Sequence, residues 1–474
     1  MNRNEFLKTT LAFSLLGLFG KRIIRANELQ ERHFIADDFI WGVSSAAYQT
    51  EGAYAEDGKG LSIWDVFVQE KGKIKNNDTG KVACDFYHLY KSDISLLNSL
   101  KIPAFRFSLS WPRIFPKGTG SKNQKGIDYY HYVIDKCFEK GIDPWITLYH
   151  WDLPQELEIK GGWTNRDMLS WFGDYVDFCT KEYGDKVKNW IVLNEPLSFT
   201  GVGYFLGLHA PGKKGFKNFL PAAHHAALCN ALGGRIAKEN VANGNIGTSI
   251  SCSYIEPKGQ SEKDIKAAKR YDAVFNRFFI EPLIGLDYPT DTIPSLKKIH
   301  DYYKANDEKD LQYDFDFIGI QNYTREIVKH SLTTPIVWGK IIPADKRTDQ
   351  YTTKNWEIYP EGIYDLLKKY NSYGKIKKFY VTENGASFND VIADNKINDL
   401  KRIDFLKTYI NSVLKAKKEG INVKGYFVWS FTDNFEWADG FDPRFGLVFI
   451  NYADQKRIVK DSGYWYSDFI NSLK

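Results

Sequence analysis

Eight short apolar segments recur along the chain, and polar or chain-breaking residues follow each of them. The segments are rich in β-branched and aromatic side chains, a composition that predicts buried β-strands. They begin roughly 40 to 70 residues apart, which leaves room for a helix and a long loop after each strand. The predicted strands cover residues 39–45, 104–110, 145–150, 190–193, 246–254, 315–320, 379–382 and 425–430.

The stretches between these strands have helical periodicity. In residues 401–419, Ile403, Leu406, Ile410 and Leu414 recur three or four positions apart and so share one face. Strands alternating with helices predict an α/β fold, here a single (β/α)8 TIM barrel with long βα loops over residues 33–474. A doubly wound open sheet is the alternative. It is disfavoured because no glycine-rich phosphate loop follows the first strand.

Two glutamates stand at the ends of predicted strands. Glu195 follows the fourth strand after Asn194, and Glu383 directly follows the seventh. Side chains just past the strands of a parallel barrel meet at its mouth, where ligands bind. Hydrolysis of a glycosidic bond needs two carboxyl groups, one to protonate the leaving oxygen and one to attack the sugar. The pair therefore indicates a glycosidase.

The other strand ends carry hydrogen-bonding side chains mixed with indoles. A hexose has several hydroxyls and two weakly apolar faces, so this mixture is suited to binding it. The residues at these ends are Gln49, Arg106, His150, Trp151, Asn194, Tyr323, Trp429, Glu436 and Trp437.

Six motifs in this order resemble those of glycoside hydrolase family 1, the β-glucosidase family, from about residue 33 to the end. They are residues 39–52, 105–116, 148–154, Leu193-Asn-Glu-Pro, Thr382-Glu-Asn-Gly and 429–437. The resemblance implies a (β/α)8 barrel that hydrolyses β-glycosides with retention at the anomeric carbon. It also implies that the reaction needs no cofactor and no metal.

Residue roles follow from the resemblance by position. Glu195 would be the acid/base and Glu383 the nucleophile, which Arg106 and Tyr323 would orient. Trp429 would form a platform under the sugar, and Trp356 would flank the leaving group. The substrate-binding residues implied are Gln49, His150, Trp151, Asn194, Tyr323, Trp356, Trp429, Glu436, Trp437 and Phe445.

Two expectations concern the surroundings of the glutamates. Arg106 should lower the pKa of Glu383, whereas an apolar setting near a second negative charge should raise that of Glu195. The chain also departs from the family after the sixth strand. Many members read Asn-Tyr-Tyr there, and this chain reads Gln321-Asn-Tyr323, which leaves the role of Gln321 open.

The loop after the eighth strand indicates an unphosphorylated sugar. Members that act on phosphorylated sugars usually lack Trp at the position of Trp437 and supply a Lys. Here residues 438–445 contain no Lys, and Arg444 is expected to point into the barrel wall.

The prediction is a retaining, exo-acting β-glucosidase for terminal, non-reducing β-D-glucosyl residues of oligosaccharides or of aryl and alkyl glucosides. A β-galactosidase, β-fucosidase or broad β-glycosidase is the alternative, because Glu436 can bind both the 4- and 6-hydroxyls. A non-catalytic sugar-binding barrel is disfavoured because both glutamates are present.

The composition of the chain limits the kinds of partner that it is expected to bind. The chain has 64 basic and 59 acidic residues and a net charge of +5, without a basic stripe interleaved with aromatics, so nucleic acid is not expected. Five cysteines without a CxxC pair indicate free thiols, buried in the case of Cys137 and Cys179. The oligomeric state is left open.

Residues 1–26 form a separate, signal-peptide-like segment. Residues 3–8 resemble a twin-arginine export signal with Asn4 in place of the second Arg. The apolar run at 9–19 is too short to span a bilayer comfortably, so no stable membrane insertion is expected. Export to the periplasm is predicted. A buried N-terminal helix in a cytoplasmic protein is the alternative.

Overall fold

A closed barrel of eight parallel strands forms the centre of the molecule, which confirms the predicted TIM barrel. The structure, a computed structural model, describes residues 38–473, so the predicted signal segment at 1–26 lies outside the described residues. The barrel strands are β1 (Ile40–Ser44), β2 (Ala104–Ser108), β3 (Asp143–Tyr149), β4 (Asn189–Asn194), β5 (Asn245–Ser251), β6 (Phe317–Gln321), β7 (Phe379–Asn384) and β8 (Val423–Trp429). They pair in chain order, and β8 closes the sheet against β1.

Helices connect the strands and pack outside the barrel. The α-helices are Ala47–Thr50, Ile63–Phe67, Phe86–Ser99, Trp111–Ile114, Gln124–Glu139, Gln155–Ile159, Met168–Tyr183, Phe216–Asn240, Glu262–Asp272, Ile280–Leu283, Asp307–Asp310, Glu361–Asn371, Leu400–Lys418 and Asp461–Ser472. The short 3-10 and π segments are Lys75–Asn77, Gly162–Thr164, Ser198–Leu206, Ala273–Arg277, Pro294–Tyr302, Ala344–Lys346 and Trp437–Asp439. The helix predicted from residues 401–419 is thus present with nearly the expected bounds.

Aromatic rings fill the interior of the barrel. Trp145 on β3 lies 4.8 Å from Tyr380 on β7 and 5.0 Å from Phe427 on β8, measured between ring centroids. Strands β3 and β7 are four strands apart around the closed sheet, so these rings meet in the lumen. Gly247 on β5 leaves room for Phe317, since a Cβ there would lie 2.4 Å from that ring. The interior is a packed core, and ligands are confined to its mouth.

The predicted fifth strand is too long. In the run at 246–254, apolar and small polar residues alternate from Ile250 to Tyr254, but β5 ends at Ser251. Asn276 clamps the next turn, because its Oδ1 accepts from the Ser253 N–H at 3.1 Å and its Nδ2 donates to the Ser253 carbonyl at 2.8 Å. The chain then leaves the barrel, and strand Tyr254–Pro257 joins strands Arg325–His330 and Gly339–Ile341 in a separate small sheet. A separate pair of strands, Val448–Asn451 and Lys456–Val459, forms a hairpin.

Candidate active site

The carboxyl ends of the barrel strands enclose a cavity of about 270 Å³. Every predicted site residue lines it except Gln49 and Arg106, which lie one layer behind. A larger hollow of about 410 Å³ runs along residues 312–315 and 375–377 at the starts of β6 and β7, and none of the predicted site residues lines it. The amino ends of barrel strands serve stability rather than chemistry, so the smaller cavity is the candidate active site.

Glu383 is the last residue but one of β7, and two donors hold its carboxyl group. Arg106 Nη1 on β2 donates to Oε1 at 2.5 Å, and the Tyr323 hydroxyl donates to Oε2 at 2.7 Å. The expectation of a lowered pKa is wrong. Burial raises the pKa of Glu383 above its ordinary value, and the Arg106 charge and the hydrogen bonds from Arg106 and Tyr323 only partly oppose that effect.

Glu195 follows β4 and is buried with far weaker support for a negative charge. The Ser198 hydroxyl donates to its Oε2 at 2.8 Å. Burial raises the pKa of Glu195 above its ordinary value, and the nearby Glu383 carboxylate adds to this increase. The expected direction is confirmed.

The amide of Asn194 links Arg106, which holds Glu383, to His150 on another wall of the cavity. Its Oδ1 accepts from Arg106 Nη2 at 2.6 Å and from Gln321 Nε2 at 2.7 Å. These two donors fix the amide orientation, so Nδ2 faces His150 Nε2 at 3.1 Å. His150 Nε2 then acts as acceptor, and the proton of the neutral ring lies on Nδ1. Gln321, whose role was left open, therefore orients Asn194.

Five buried polar atoms of cavity-lining or predicted site residues have no hydrogen-bond partner within residues 38–473. They are Gln49 Oε1, His150 Nδ1, His209 Nδ1, Gln321 Oε1 and Glu436 Oε2. Buried polar groups are rarely left unpaired unless a ligand or water meets them. Burial also raises the pKa of Glu436 to about 7, against the lowering effect of Lys354. Unpaired donor and acceptor atoms around a single cavity match the hydroxyls of a sugar ring.

Aromatic side chains form the walls. Trp437 lies 4.5 Å from Trp151 between ring centroids, and Trp429 packs in one cluster with Phe445. The rings of Tyr323, which donates to Glu383, and Trp356 lie 5.2 Å apart between centroids. The faces of aromatic side chains pack against the C–H surfaces of sugars, and the aromatic walls keep water out of the cavity.

Several cavity residues were not predicted. Ser198 carries a signal that could have been noticed, since it stands three positions after Glu195. Lys354, Glu326 and Phe275 belong to the long segments that connect barrel strands, and neither periodicity nor a barrel-strand end marks them in the sequence.

The cations near the eighth loop are arranged partly as expected. Arg444 does point into the wall, where it donates to the Ile450 carbonyl at 2.8 Å and lies over the rings of Phe449 and Tyr452. The loop itself lacks Lys, but Lys354 reaches the cavity from the β6–β7 loop and pairs with Asp439 in the eighth loop. The cavity therefore contains a cation, already neutralised by its partner.

Among residues 38–473, no three His, Cys, Asp or Glu side chains are grouped to hold a metal ion. Over the same residues, no helix combines the length and apolarity needed to cross a bilayer. All five cysteines fall in this part of the chain, and each is buried and unpaired.

The chain is similar to a known protein family, to known relatives and to solved structures. The family model described as glycosyl hydrolase family 1 matches residues 31–474. "Beta-glucosidase A" of Thermotoga maritima is 44% identical over 439 residues, 92% of this chain and 97% of that protein, and "1,4-beta-D-glucan glucohydrolase" of Thermotoga neapolitana is 42% identical, covering 92% and 98%. The solved structure titled "Family 1 b-glucosidase from Thermotoga maritima" superposes with a TM-score of 0.88 at 43% identity, covering 92% of this chain and 98% of that one. A structure of a Thermotoga maritima beta-glucosidase in complex with glucoimidazole superposes with a TM-score of 0.87 at 42% identity, with the same coverage.

Proposed function

Because the chain belongs to glycosyl hydrolase family 1, we propose that it is a retaining, exo-acting β-glucosidase. It releases terminal, non-reducing β-D-glucosyl residues from oligosaccharides or from aryl and alkyl β-glucosides. The observation that carries this conclusion is the contrast between two carboxyl groups in one cavity. Glu383 is held by Arg106 and Tyr323, which favour a carboxylate, whereas Glu195 is buried beside one hydroxyl and favours the acid.

The first half of the reaction uses both groups at once. Glu383 attacks the anomeric carbon and forms a glycosyl ester, while Glu195 gives its proton to the departing glycosidic oxygen. Arg106 and Tyr323 keep the attacking carboxylate in one orientation during this step.

The second half reverses the role of Glu195. Once Glu383 is esterified its negative charge is gone, so one of the causes of the raised pKa of Glu195 disappears. Glu195 is then a carboxylate that takes a proton from water, and the water attacks the anomeric carbon. Two inversions leave the product with the configuration of the substrate.

The unpaired polar atoms support glucose as the sugar in the inner cavity. Gln49 Oε1 and Glu436 Oε2 can accept from hydroxyls, and His150 Nδ1–H can donate to one. Trp429 supplies the platform and Trp437 packs at the edge. Glu436 can serve a 4-hydroxyl of either orientation, so a β-galactosidase or β-fucosidase activity is the second candidate. Comparing kcat/KM across nitrophenyl β-glucoside, β-galactoside and β-fucoside decides between the two.

Two finer points belong to the proposal. The name of the Thermotoga neapolitana relative supports cello-oligosaccharides as substrates and a part in cellulose degradation. Export to the periplasm rests on the twin-arginine-like pattern within residues 1–26.

Azide rescue tests the assignment of the two glutamates. Glu383→Ala should abolish turnover of dinitrophenyl β-glucoside, and added azide should restore activity with an inverted, α-glucosyl azide product, because azide attacks in place of the carboxylate. Glu195→Ala is the matched control, and azide there should give the β-glucosyl azide by attacking the glycosyl ester. If the two variants gave the opposite products, the roles would be exchanged. If Glu383→Ala kept near-normal turnover without azide, the proposed mechanism would be wrong.

A further inference from the structure

The cavity has a second half that the glucose-binding residues do not use. In the closed strand order, β5 stands opposite β1, which carries Gln49 just past its end. The loops after β5 and β6 contribute Ser253, Phe275 and Glu326 to the lining. Glu195, which must face the leaving oxygen, stands at the end of β4 beside β5. The leaving group therefore departs toward this half of the cavity.

Glu326 is an uncompensated carboxyl group in that half. It lies on strand Arg325–His330 and lines the cavity, and within residues 38–473 its side chain makes no hydrogen bond and no ion pair within 4 Å. The neighbouring cations are engaged elsewhere. Arg325 donates to Glu256 at 2.8 Å and to Glu357 at 2.8 and 2.9 Å, and Arg347 also pairs with Glu357.

A carboxyl group in this position has a cost unless donors reach it. Burial raises the pKa of Glu326 to about 7, with Arg347 opposing the increase from a distance. Glu326 is half-buried, so a ligand that fills the cavity removes its remaining water, and this is unfavourable unless hydrogen-bond donors replace that water. No donor of the described chain does so, whereas the hydroxyls of a second sugar could.

Aromatic rings flank the same space. Phe275 lines the cavity and stacks on Tyr271, with ring centroids 5.9 Å apart and planes 21° apart. Trp356 packs next to Tyr323, and Tyr323 donates a hydrogen bond to the nucleophile Glu383. Aromatic faces together with a free carboxyl oxygen suit a polyhydroxylated ring, while an alkyl chain would leave the carboxyl group without a partner.

We propose that Glu326 determines aglycone specificity by accepting hydroxyl hydrogen bonds from a second sugar, packed between Phe275 and Trp356, so that the enzyme prefers disaccharides over alkyl glucosides. This proposal rests on the proposed β-glucosidase function. The same subsite would hold an acceptor sugar during transglycosylation. Its hydroxyl oxygen would attack the anomeric carbon, its proton would pass to Glu195, and the Glu383 carboxylate would be released.

The test compares aglycones in Glu326→Ala, with Lys329→Ala as the matched control on an exposed position of the same strand. The kcat/KM for cellobiose should fall about tenfold or more, as expected for loss of a hydrogen bond to a charged group. The values for nitrophenyl and octyl β-glucoside should stay within about twofold, because neither aglycone offers hydroxyls to Glu326. Glu326→Gln keeps an acceptor oxygen and should recover most of the cellobiose activity.

A second measurement isolates the subsite from cleavage. The enzyme is trapped as its 2-deoxy-2-fluoroglucosyl ester, and reactivation is followed with water alone or with added cellobiose as acceptor. Glu326→Ala should lose the acceleration by cellobiose but keep reactivation by water. An equal loss on all substrates, or undiminished cellobiose hydrolysis and reactivation, would overturn the proposal. Failure of the unmodified enzyme on nitrophenyl β-glucoside would instead refute the proposed function itself.

Discussion

Replacing Tyr323 by Phe should move the acid limb of the pH–rate profile to higher pH. The Tyr323 hydroxyl donates to Glu383 Oε2 at 2.7 Å, and it lowers the pKa of Glu383 because it stabilises the carboxylate form. Glu383 must be ionised to attack, so activity is lost as the pH falls through its pKa. Without this donor the pKa rises, and the loss begins at a higher pH.

The size of the shift follows from the bond that is removed. A hydrogen bond to a charged group contributes about 1.5–3 kcal/mol, and about 1.4 kcal/mol corresponds to one pH unit, so the acid limb should move by about one to two pH units. Arg106, at 2.5 Å from the other carboxyl oxygen, keeps the shift from being larger. The Phe ring retains the packing against Trp356 and Phe445.

The assay uses dinitrophenyl β-glucoside, whose leaving group departs without protonation. The basic limb due to Glu195 is then weakened, and kcat/KM against pH reports mainly on Glu383. Tyr373→Phe is the matched control, because its hydroxyl donates to Glu281 at 2.9 Å away from the cavity. An acid limb that stays in place, or moves to lower pH, would refute the assignment of Tyr323 as a partner of the ionised nucleophile.

Three further predictions concern acid catalysis, sugar choice and export. Glu195→Gln should slow alkyl glucosides far more than dinitrophenyl glucoside, and equal loss on both would count against proton donation by this residue. The unmodified enzyme should prefer β-glucoside to 6-phospho-β-glucoside by at least about 100-fold in kcat/KM, because a desolvated phosphate needs free cations and Lys354 is already paired with Asp439 beside Glu436; comparable rates would contradict this. Trp437→Ser should weaken glucoside hydrolysis without creating a phosphoglycosidase. Removal of residues 1–26 should leave the purified enzyme active, and a full-length mature chain in the cytoplasm of its native host, found by fractionation, would rule out the signal.

Most of the barrel could be predicted because its strands obey a local rule. Each is a β-branched or aromatic run buried on both faces, so the sequence alone marks it. The rule failed at the end of the fifth strand, where the alternation of apolar and polar residues continues to Tyr254 but β5 ends at Ser251. There the Asn276 side chain holds Ser253 out of register, and that contact joins residues 23 positions apart. No local pattern contains such information.

In the candidate site, too, the residues at barrel-strand ends could be predicted from the sequence, whereas those in the long connecting segments could not. Glu195 and Glu383 could be found because strand ends converge in any parallel barrel. Lys354 and Glu326 could not, because their positions depend on how long loops fold over the mouth. The pairing of Lys354 with Asp439 joins the β6–β7 loop to the β8 loop and changes the meaning of a Lys-free eighth loop. The charge in the cavity therefore depends on every loop that contributes a side chain to it, and not on the eighth loop alone.

The pKa of Glu383 was expected to be lowered but is raised, and the reason shows how the two carboxyl groups differ. Both are buried, and burial raises both pKa values, so a cation beside one of them does not guarantee a lowered pKa. The number of donors separates them. Within residues 38–473, Arg106 and Tyr323 donate to the Glu383 carboxyl group, and the Gln321 side chain also lowers its pKa. The Glu195 carboxyl group accepts from Ser198 and faces the charge of Glu383. The burial that keeps Glu195 protonated therefore also makes it responsive, since forming the glycosyl ester removes the neighbouring charge and favours its conversion from acid to base.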